Sequence, residues 1–264
     1  MINTNSTSTR LRVVFDASCK TDIGLSLNDA LLKGPTIQEE LITILARFRK
    51  HKFAFSADVS KMYRQIWVDP QQRSYQKIIW RANPEEPLRT YRLNTVTYGT
   101  VPASFLATGC LAKLAEKEYH MFPDACDVIK SDFYMDDYLG GADTKDNALR
   151  LRNSLIEVML RGGFPLRKWM SNSSELLADM PNIGNKSMTI MELENKMTKI
   201  LGLLWCPERD VFKYKIEITT LNDQPVTKRN ILSQIASLFD PLGLVGNTRK
   251  NINAKIMAIT MRLG

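Results

Sequence analysis

Two adjacent acidic residues, Asp136 and Asp137, stand inside an otherwise apolar run, 133–141 (FYMDDYLGG). Like charges held side by side in a partly dry environment repel each other, so a tight turn where they can share a cation suits them best. The run therefore predicts a β-hairpin with both acids at its tip. A second run, 53–59 (FAFSADV), alternates like a strand and carries Asp58 near its end. Pairing the hairpin with this strand would bring three carboxylates together.

Three converging carboxylates have a specific chemistry. Carboxylate oxygens are ligands for hard divalent cations, and two such ions about 3.5–4 Å apart stabilise both the attacking and the leaving oxygen of a phosphoryl transfer. The alternative is that Asp136 and Asp137 form an exposed hairpin turn and that Asp58 is a helix N-cap. An isolated Asp-Asp pair favours this alternative, whereas the apolar residues that flank the pair favour the metal site.

The rest of the chain mixes helical and strand-like patterns without strict β-α alternation. Predicted helices lie at 36–50, 103–119, 145–160 and 228–239, and predicted strands at 11–18, 53–59, 75–80, 90–93, 200–205 and 211–218. This mixture favours an α+β architecture over a doubly wound parallel sheet.

Composition and charge narrow the classes of partner and compartment. The 264 residues include 36 Lys and Arg against 28 Asp and Glu, a formal net charge of +8. A basic balance suits a polyanion such as nucleic acid, although a soluble basic protein without such a partner has it too. No apolar run is long enough for a transmembrane helix, and the amino terminus lacks a secretion signal. The scattered cysteines form no C-x-x-C pair, so we expect an intracellular protein without a zinc site or disulfide framework.

Several motifs resemble those of one protein family. The YMDD at 134–137 resembles the Y-x-D-D box of reverse transcriptases, and FSADVSKMY at 55–63 resembles their first carboxylate motif. Further motifs in the same order are RVVFDAS (12–18), TYGT (97–100), LRKW (166–169) and TKRNILSQIASLFDPLGL (227–244). One short match is weak, but six in order along nearly the whole chain argue against coincidence. The residues in these motifs most closely resemble those of the BEL/Pao group of LTR retrotransposons.

The resemblance implies a right-hand polymerase fold. Its palm would be a ferredoxin-like antiparallel sheet with helices, joined to partial fingers in a fingers-palm domain at 1–220. Residues 221–264 would begin the thumb or connection, and the chain would be a fragment of a pol polyprotein. The implied activity is RNA-directed DNA polymerisation with an RNA template, a DNA primer and dNTPs. The expected location is a cytoplasmic particle or the nucleus, with no membrane partner, and the oligomeric state stays open.

The resemblance also assigns the catalytic carboxylates. Asp58 and Asp136 would bridge two Mg²⁺ ions, with Mn²⁺ as an alternative, and Asp137 would lie nearby or more peripherally. The backbone carbonyl of Val59 would be a further metal ligand. These groups would activate the primer 3′-hydroxyl and neutralise charge on the transferred phosphate.

The resemblance also implies roles for five residues around the nucleotide. Arg12 would pair with the triphosphate, because a guanidinium fork suits phosphate oxygens, and Tyr63 would lie under the ribose and exclude a 2′-hydroxyl. Tyr98 and Gly99 would line the pocket, with the glycine allowing close approach of the backbone. Lys168 would donate a proton to pyrophosphate or lie beside it. The alternatives are a surface Arg12, a core Tyr63 and a solvated Lys168 next to Trp169.

A primer grip is assigned to Leu201, Gly202 and Leu203, where a buried strand glycine is the alternative. The chain departs from the family after Gly99, because Pro102 is displaced from its usual position and leaves the geometry of this loop open.

Three other functions remain open. A catalytically inactive, truncated remnant would still bind nucleic acid, and a palm-type RNA polymerase would share the carboxylates, although Tyr63 argues against it. A G-x-x-G nucleic-acid module at 243–246 is disfavoured because Pro241 suits a chain turn.

Overall fold

The computed structural model describes residues 13–180, 198–200 and 203–213, and the architecture below refers to those ranges. The helices are α1 (Leu27–Ala30), α2 (Leu41–Phe48), α3 (Ala103–Glu118), α4 (Pro123–Ser131) and α5 (Lys145–Arg161). The strands are β1 (Phe53–Val59), β2 (Lys77–Trp80), β3 (Arg89–Arg92), β4 (Phe133–Tyr134), β5 (Asp137–Ala142), β6 (Leu166–Ser171), β7 (Thr198–Ile200), β8 (Leu203–Cys206) and β9 (Val211–Lys213). The strand pairs are antiparallel. The α+β prediction is therefore confirmed as a mixture of helices and antiparallel sheet.

A four-stranded sheet with the order β4-β5-β1-β6 forms the centre of the fold. β1 lies inside it, and most of its residues are buried because both faces of the sheet are covered. Side chains alternate along a strand, so Phe55, Ala57 and Val59 face one side while Ala54 and Asp58 face the other. The strand thus joins two apolar clusters and carries one acid at its end.

Helices α3, α4 and α5 cover the face that carries Phe55 and Val59. α5 begins after Thr144, whose side chain accepts a hydrogen bond from the backbone N–H of Asn147. Such a cap satisfies one of the unpaired N–H groups of the first turn. The resulting layer of helices fixes the sheet from one side.

The opposite face packs against α2 and β8. Ala54 and Leu139 of the sheet share a cluster with Phe48 of α2 and Trp205 of β8. The Phe48 and Trp205 rings meet edge to face, with centroids 4.9 Å apart, and the Trp205 indole N–H donates to Asp210 at 3.0 Å. This cluster covers the middle of the sheet on the side that also bears Asp58.

Three predicted elements agree closely with the bounds of the observed elements. The strand 53–59 has the predicted bounds, and the helices predicted at 103–119 and 145–160 match α3 and α5 to within one residue at each end. The helix predicted at 36–50 begins later, at Leu41.

Other predictions fail or lie outside the described ranges. The strand predicted at 11–18 is wrong over 13–18, which forms coil and a turn. The helix predicted at 228–239 and the thumb or connection segment at 221–264 lie outside the described residues, so the two-part domain division stays a prediction. In the described ranges, no helix is long and apolar enough to cross a membrane.

Candidate active site

The β1–β5 pairing brings two of the three carboxylates together. Asp58 is the direct cross-strand partner of Asp137 in the antiparallel register. Directly paired residues project from the same face with Cβ atoms about 5 Å apart. The resemblance assigns Asp58 and Asp136 as the residues that would bridge the metals, and this assignment stays a prediction. The register places Asp137 directly across from Asp58.

Asp136 lies in the two-residue loop of the β4–β5 hairpin. Tyr134 pairs with Asp137, so the loop consists of Met135 and Asp136. Met135 has a left-handed backbone with φ of 56°. The side chain of Asp136 is exposed, while its backbone carbonyl accepts from the N–H of Val59 at 2.7 Å. The hairpin loop is thereby fixed to the end of β1. The sequence predicted both acids at the tip, whereas only Asp136 lies in the loop and Asp137 is the first residue of β5.

The charge environment confirms that the three acids are electrostatic neighbours. The pKa of Asp137 is raised to about 7, chiefly by burial and then by the negative charges of Asp136 and Asp58, while Lys168 acts in the opposite direction. Within the described ranges, no three acidic, His or Cys side chains are closed around a metal position. The carboxylates are therefore adjacent rather than arranged as a finished ligand cage. As a set of hard oxygen donors they fit a divalent cation chemically.

A β-bulge delivers Lys168 to the acidic group. Opposite β1, Asp58 pairs with Arg167 and Ser56 pairs with Met170, so Lys168 and Trp169 together face the single residue Ala57. Lys168 has a φ of 54°, and a bulge of this kind re-aims the side chains that follow it. The Nζ of Lys168 lies 3.0 Å from Oδ2 of Asp58.

The ion pair leaves both partners accessible to water. The side chain of Lys168 is 59% exposed and that of Asp58 is 22% exposed. An exposed ion pair of this kind contributes little to stability. Lys168 is consequently positioned beside Asp58 by the bulge, in an ion pair that is open to solvent.

Tyr63 stands between the acids and the start of α3. It lies in a short 3-10 turn after β1 and is half-buried. Burial raises the pKa of its hydroxyl, a hydrogen bond with Ser104 lowers it, and the charge of Asp136 raises it. Its ring centroid is 6.4 Å from that of Tyr98. Tyr63 therefore lies within electrostatic range of Asp136, and Tyr98 lies next to Tyr63.

The segment 97–101, hereafter the pocket loop, carries Tyr98 and Gly99. The Tyr98 hydroxyl donates to the carbonyl of Val13 at 2.7 Å, so the sequence-predicted pocket residue presents its ring rather than a free hydroxyl. Gly99 has φ of 90°, and a Cβ there would lie 2.5 Å from the carbonyl oxygen of Phe15. The close approach that requires this glycine is therefore made by the backbone of Phe15.

Asn28 is a site-adjacent residue that sequence reasoning missed. Its Nδ2 donates to the carbonyl of Gly99 at 3.1 Å, and its Oδ1 accepts from the N–H of Val101 at 2.8 Å. The serine and aspartate of the Ser26–Asp29 capping box mark a helix start in the sequence. No local pattern, however, indicates a contact with backbone groups more than 70 residues away.

The remaining predicted residues fall into two groups. Arg12, Leu201 and Gly202 lie outside the described residues. Leu203 begins β8 and is fully buried in the cluster with Trp205, so its side chain belongs to the core.

The chain shows distant structural similarity to solved proteins, but no similarity to a family profile or a curated sequence. A crystal structure of a Prototype Foamy Virus protease-reverse transcriptase mutant aligns with a TM-score of 0.43 and 13% sequence identity. The alignment covers 56% of this chain and 19% of that one, so the chain spans about one-fifth of the length of the protein it matches. Similarity at this level does not establish a shared fold.

Proposed function

We propose that this chain is the core of an RNA-directed DNA polymerase of the BEL/Pao type. The central sheet is then the palm of a right-hand polymerase, and β2–β3 belongs to its fingers. The reaction is attack of a primer 3′-oxygen on the α-phosphorus of a dNTP, with release of pyrophosphate. The reaction takes place inside the cell, in a cytoplasmic particle or the nucleus.

One observation carries the proposal, namely the register that sets Asp58 opposite Asp137 beside the Asp136 loop. A fold gains nothing from like charges directly across a strand pair, because such a pair destabilises the sheet. The arrangement is explained if a cationic ligand occupies the space between the carboxylates. The YMDD and FSADV motifs that supply these acids resemble the polymerase motifs independently of the geometry.

The donor set identifies the ligand class. Asp58, Asp136 and Asp137, with the carbonyl of Val59, would hold two Mg²⁺ ions, which Mn²⁺ could replace. When bound, such ions supply charge neutralisation at the transferred phosphate and lower the pKa of the attacking hydroxyl. Lys168 then lies beside the site, where it can move from Asp58 to the leaving pyrophosphate.

The aromatic border of the site suits a deoxynucleotide. The Tyr63 ring lies beside Asp136 and Tyr98, where it would pack under the sugar and leave no room for a 2′-hydroxyl. Arg12 and the primer-grip residues complete this proposal as the resemblance assigns them.

The β2–β3 hairpin supports a nucleic-acid partner. Its large exposed side chains and those just before and between its strands are Tyr75, Ile79, Trp80, Leu88 and Tyr91. Lys77 pairs directly with Arg92, and Trp80 pairs with Arg89. Like charges facing each other across a strand pair are unfavourable without an anion. Aromatic faces interleaved with cations bind single strands by stacking and phosphate contact.

Primer extension tests the activity. A DNA primer on an RNA template is incubated with dNTPs, Mg²⁺ and either the wild-type chain or its Asp58→Asn or Asp137→Asn variant. We expect extension to fall on the order of a hundredfold or more in these variants, because the lost groups stabilise charge in the transition state. Wild-type extension without added divalent metal, or an Asp58→Asn variant with full activity, would refute the assignment.

Asp143→Asn is the matched control. Asp143 is exposed and directly follows β5, so this substitution removes one negative charge near the same strand without altering the acidic group. We expect its extension rate to equal that of the wild-type chain.

A second candidate is a catalytically inactive remnant that still binds nucleic acid. The observation in its favour is that the described acids are not closed around a metal position and that Asp58 already pairs with Lys168. Salt-sensitive binding of an RNA–DNA duplex, with no extension in Mg²⁺ or Mn²⁺, would select this candidate.

A further inference from the structure

The backbone of the pocket loop depends on contacts made by another segment. Gly99 adopts a left-handed backbone against the carbonyl of Phe15, so the loop sits in a conformation that few residues can adopt. The Tyr98 hydroxyl is tied to Val13. Both contacts come from residues 13–26, which lead into α1 and contain no β-strand. The loop is therefore placed by hydrogen bonds to side chains and single carbonyls rather than by a sheet.

Asn28 makes the most extensive of these connections. Its amide satisfies one donor and one acceptor of the loop backbone, on either side of Thr100. The same Nδ2 also donates to the Ser18 hydroxyl at 2.9 Å, and the backbone N–H of Asn28 donates to Ala17 at 2.9 Å. The side chain is only partly exposed. A single amide thus links the loop to a locally anchored turn.

We propose that Asn28 is a positioning residue that sets where the pocket loop holds Tyr98 relative to Tyr63. The inference rests on the proposed function, because the two rings border the nucleotide only if the chain is a polymerase. Asn28 does not reach the acids, so it acts through the loop. Loss of the amide lowers the fraction of molecules whose loop is correctly placed. When only that fraction binds nucleotide, the apparent KM rises in proportion while kcat at saturation is preserved.

The chain offers a matched control in Asn172. Its Oδ1 accepts from the N–H of Ala54 at 2.9 Å, and its Nδ2 donates to the carbonyl of Lys52 at 3.0 Å. This amide makes the same pair of backbone contacts, but at the end of β1 remote from Asp58. Asn28→Ala and Asn172→Ala therefore remove equivalent pairs of hydrogen bonds, the first at the pocket loop and the second at the start of β1.

Amide hydrogen exchange measures the placement of the loop without any activity. We expect the Val101 amide to exchange at least about tenfold faster in Asn28→Ala, because its acceptor is gone, with the Ala54 amide unchanged. Asn172→Ala should give the reverse. Unchanged exchange at Val101 in Asn28→Ala overturns the proposal.

Steady-state primer extension then measures the consequence. We expect the apparent KM for dNTP to rise about tenfold in Asn28→Ala with kcat nearly unchanged, and neither value to change in Asn172→Ala. Asn28→Asp keeps the acceptor for Val101 and loses the donor to Gly99, so a smaller rise is expected, and it serves as the test if Asn28→Ala does not fold.

The outcomes separate this inference from the proposed function. A wild-type chain that does not extend primers defeats the proposed function, and this inference with it. An active wild type with faster Val101 exchange but unchanged KM in Asn28→Ala defeats only the positioning role. Equal KM changes in Asn28→Ala and Asn172→Ala also defeat it, because they indicate a general loss of stability.

Discussion

The carboxyl group of Asp137 makes the stability of the metal-free protein depend on pH. Its pKa is raised from 3.8 to about 7, chiefly by burial and then by Asp136 and Asp58. Below pH 4 the group is protonated in both the folded and the unfolded chain. Between pH 4 and 7 the unfolded chain loses the proton while the folded chain retains it, so the free energy of unfolding falls as pH rises. Above pH 7 both forms are ionised and the loss is complete.

The magnitude follows from the two pKa values. At about 1.4 kcal/mol for each tenfold change in acidity, a rise from 3.8 to about 7 corresponds to at most about 4–5 kcal/mol. Partial solvent access to the side chain reduces this figure, so we expect about 2–4 kcal/mol. Asp137→Asn removes the titrating group and with it this dependence.

Urea denaturation in metal-free buffer, followed by tryptophan fluorescence at several pH values, measures the effect. The free energy of unfolding of Asp137→Asn minus that of the wild type should increase by about 2–4 kcal/mol between pH 4 and 8. Asp143→Asn, with its exposed carboxylate, controls for the loss of one negative charge. A difference between Asp137→Asn and wild type that is constant with pH contradicts the burial of Asp137 among like charges.

Two further substitutions test the packing around the site. The Tyr138 hydroxyl is fully buried without a hydrogen-bond partner in the described structure, so Tyr138→Phe should leave the free energy of unfolding unchanged or raise it by up to about 1 kcal/mol. A clear loss of stability in urea would reveal a partner such as bound water. Arg47 donates to the buried carboxylate of Asp132 at 2.6 Å, so Arg47→Ala should reduce the free energy of unfolding by about 3 kcal/mol. The same measurement on Arg47→Ala with Asp132→Asn should recover part of that loss, and no recovery would contradict the charge argument.

Elements whose pattern is set by local interactions were predicted correctly from the sequence, and some other elements were missed. The strand at 53–59 and the helix at 145–160 are visible in the sequence because their periodicity is set locally by the core that they face. α4 (Pro123–Ser131) was missed although it begins with Pro and Asp, a typical first turn. β6 was missed because its bulge at Lys168 breaks the alternation that marks a strand.

The positions of the acids were predictable and their pairing was not. That Asp58 and the acidic hairpin would meet follows from an unfavourable pair of charges in an apolar run. Which of Asp136 and Asp137 faces Asp58 depends on the length of the hairpin loop, because one residue of register moves a side chain to the other face of the sheet. The two-residue loop places Asp137 opposite Asp58.

The stability that the acidic group removes is itself an argument for a ligand. Asparagine at 137 would keep the same backbone ladder without a buried charge beside two other acids. The expected loss of about 2–4 kcal/mol, which comes chiefly from burial and then from the like charges, is a large part of the 5–15 kcal/mol typical of a folded domain. The ion pair between Lys168 and Asp58, with its atoms 3.0 Å apart, is exposed to solvent. It therefore offsets little of the charge of Asp58. A divalent cation would remove the penalty at the oxygens where it arises, so ligand binding and folding would favour the same arrangement. Under the proposed function, the metal-free protein carries this destabilisation at Asp137, and binding of a cation would relieve it.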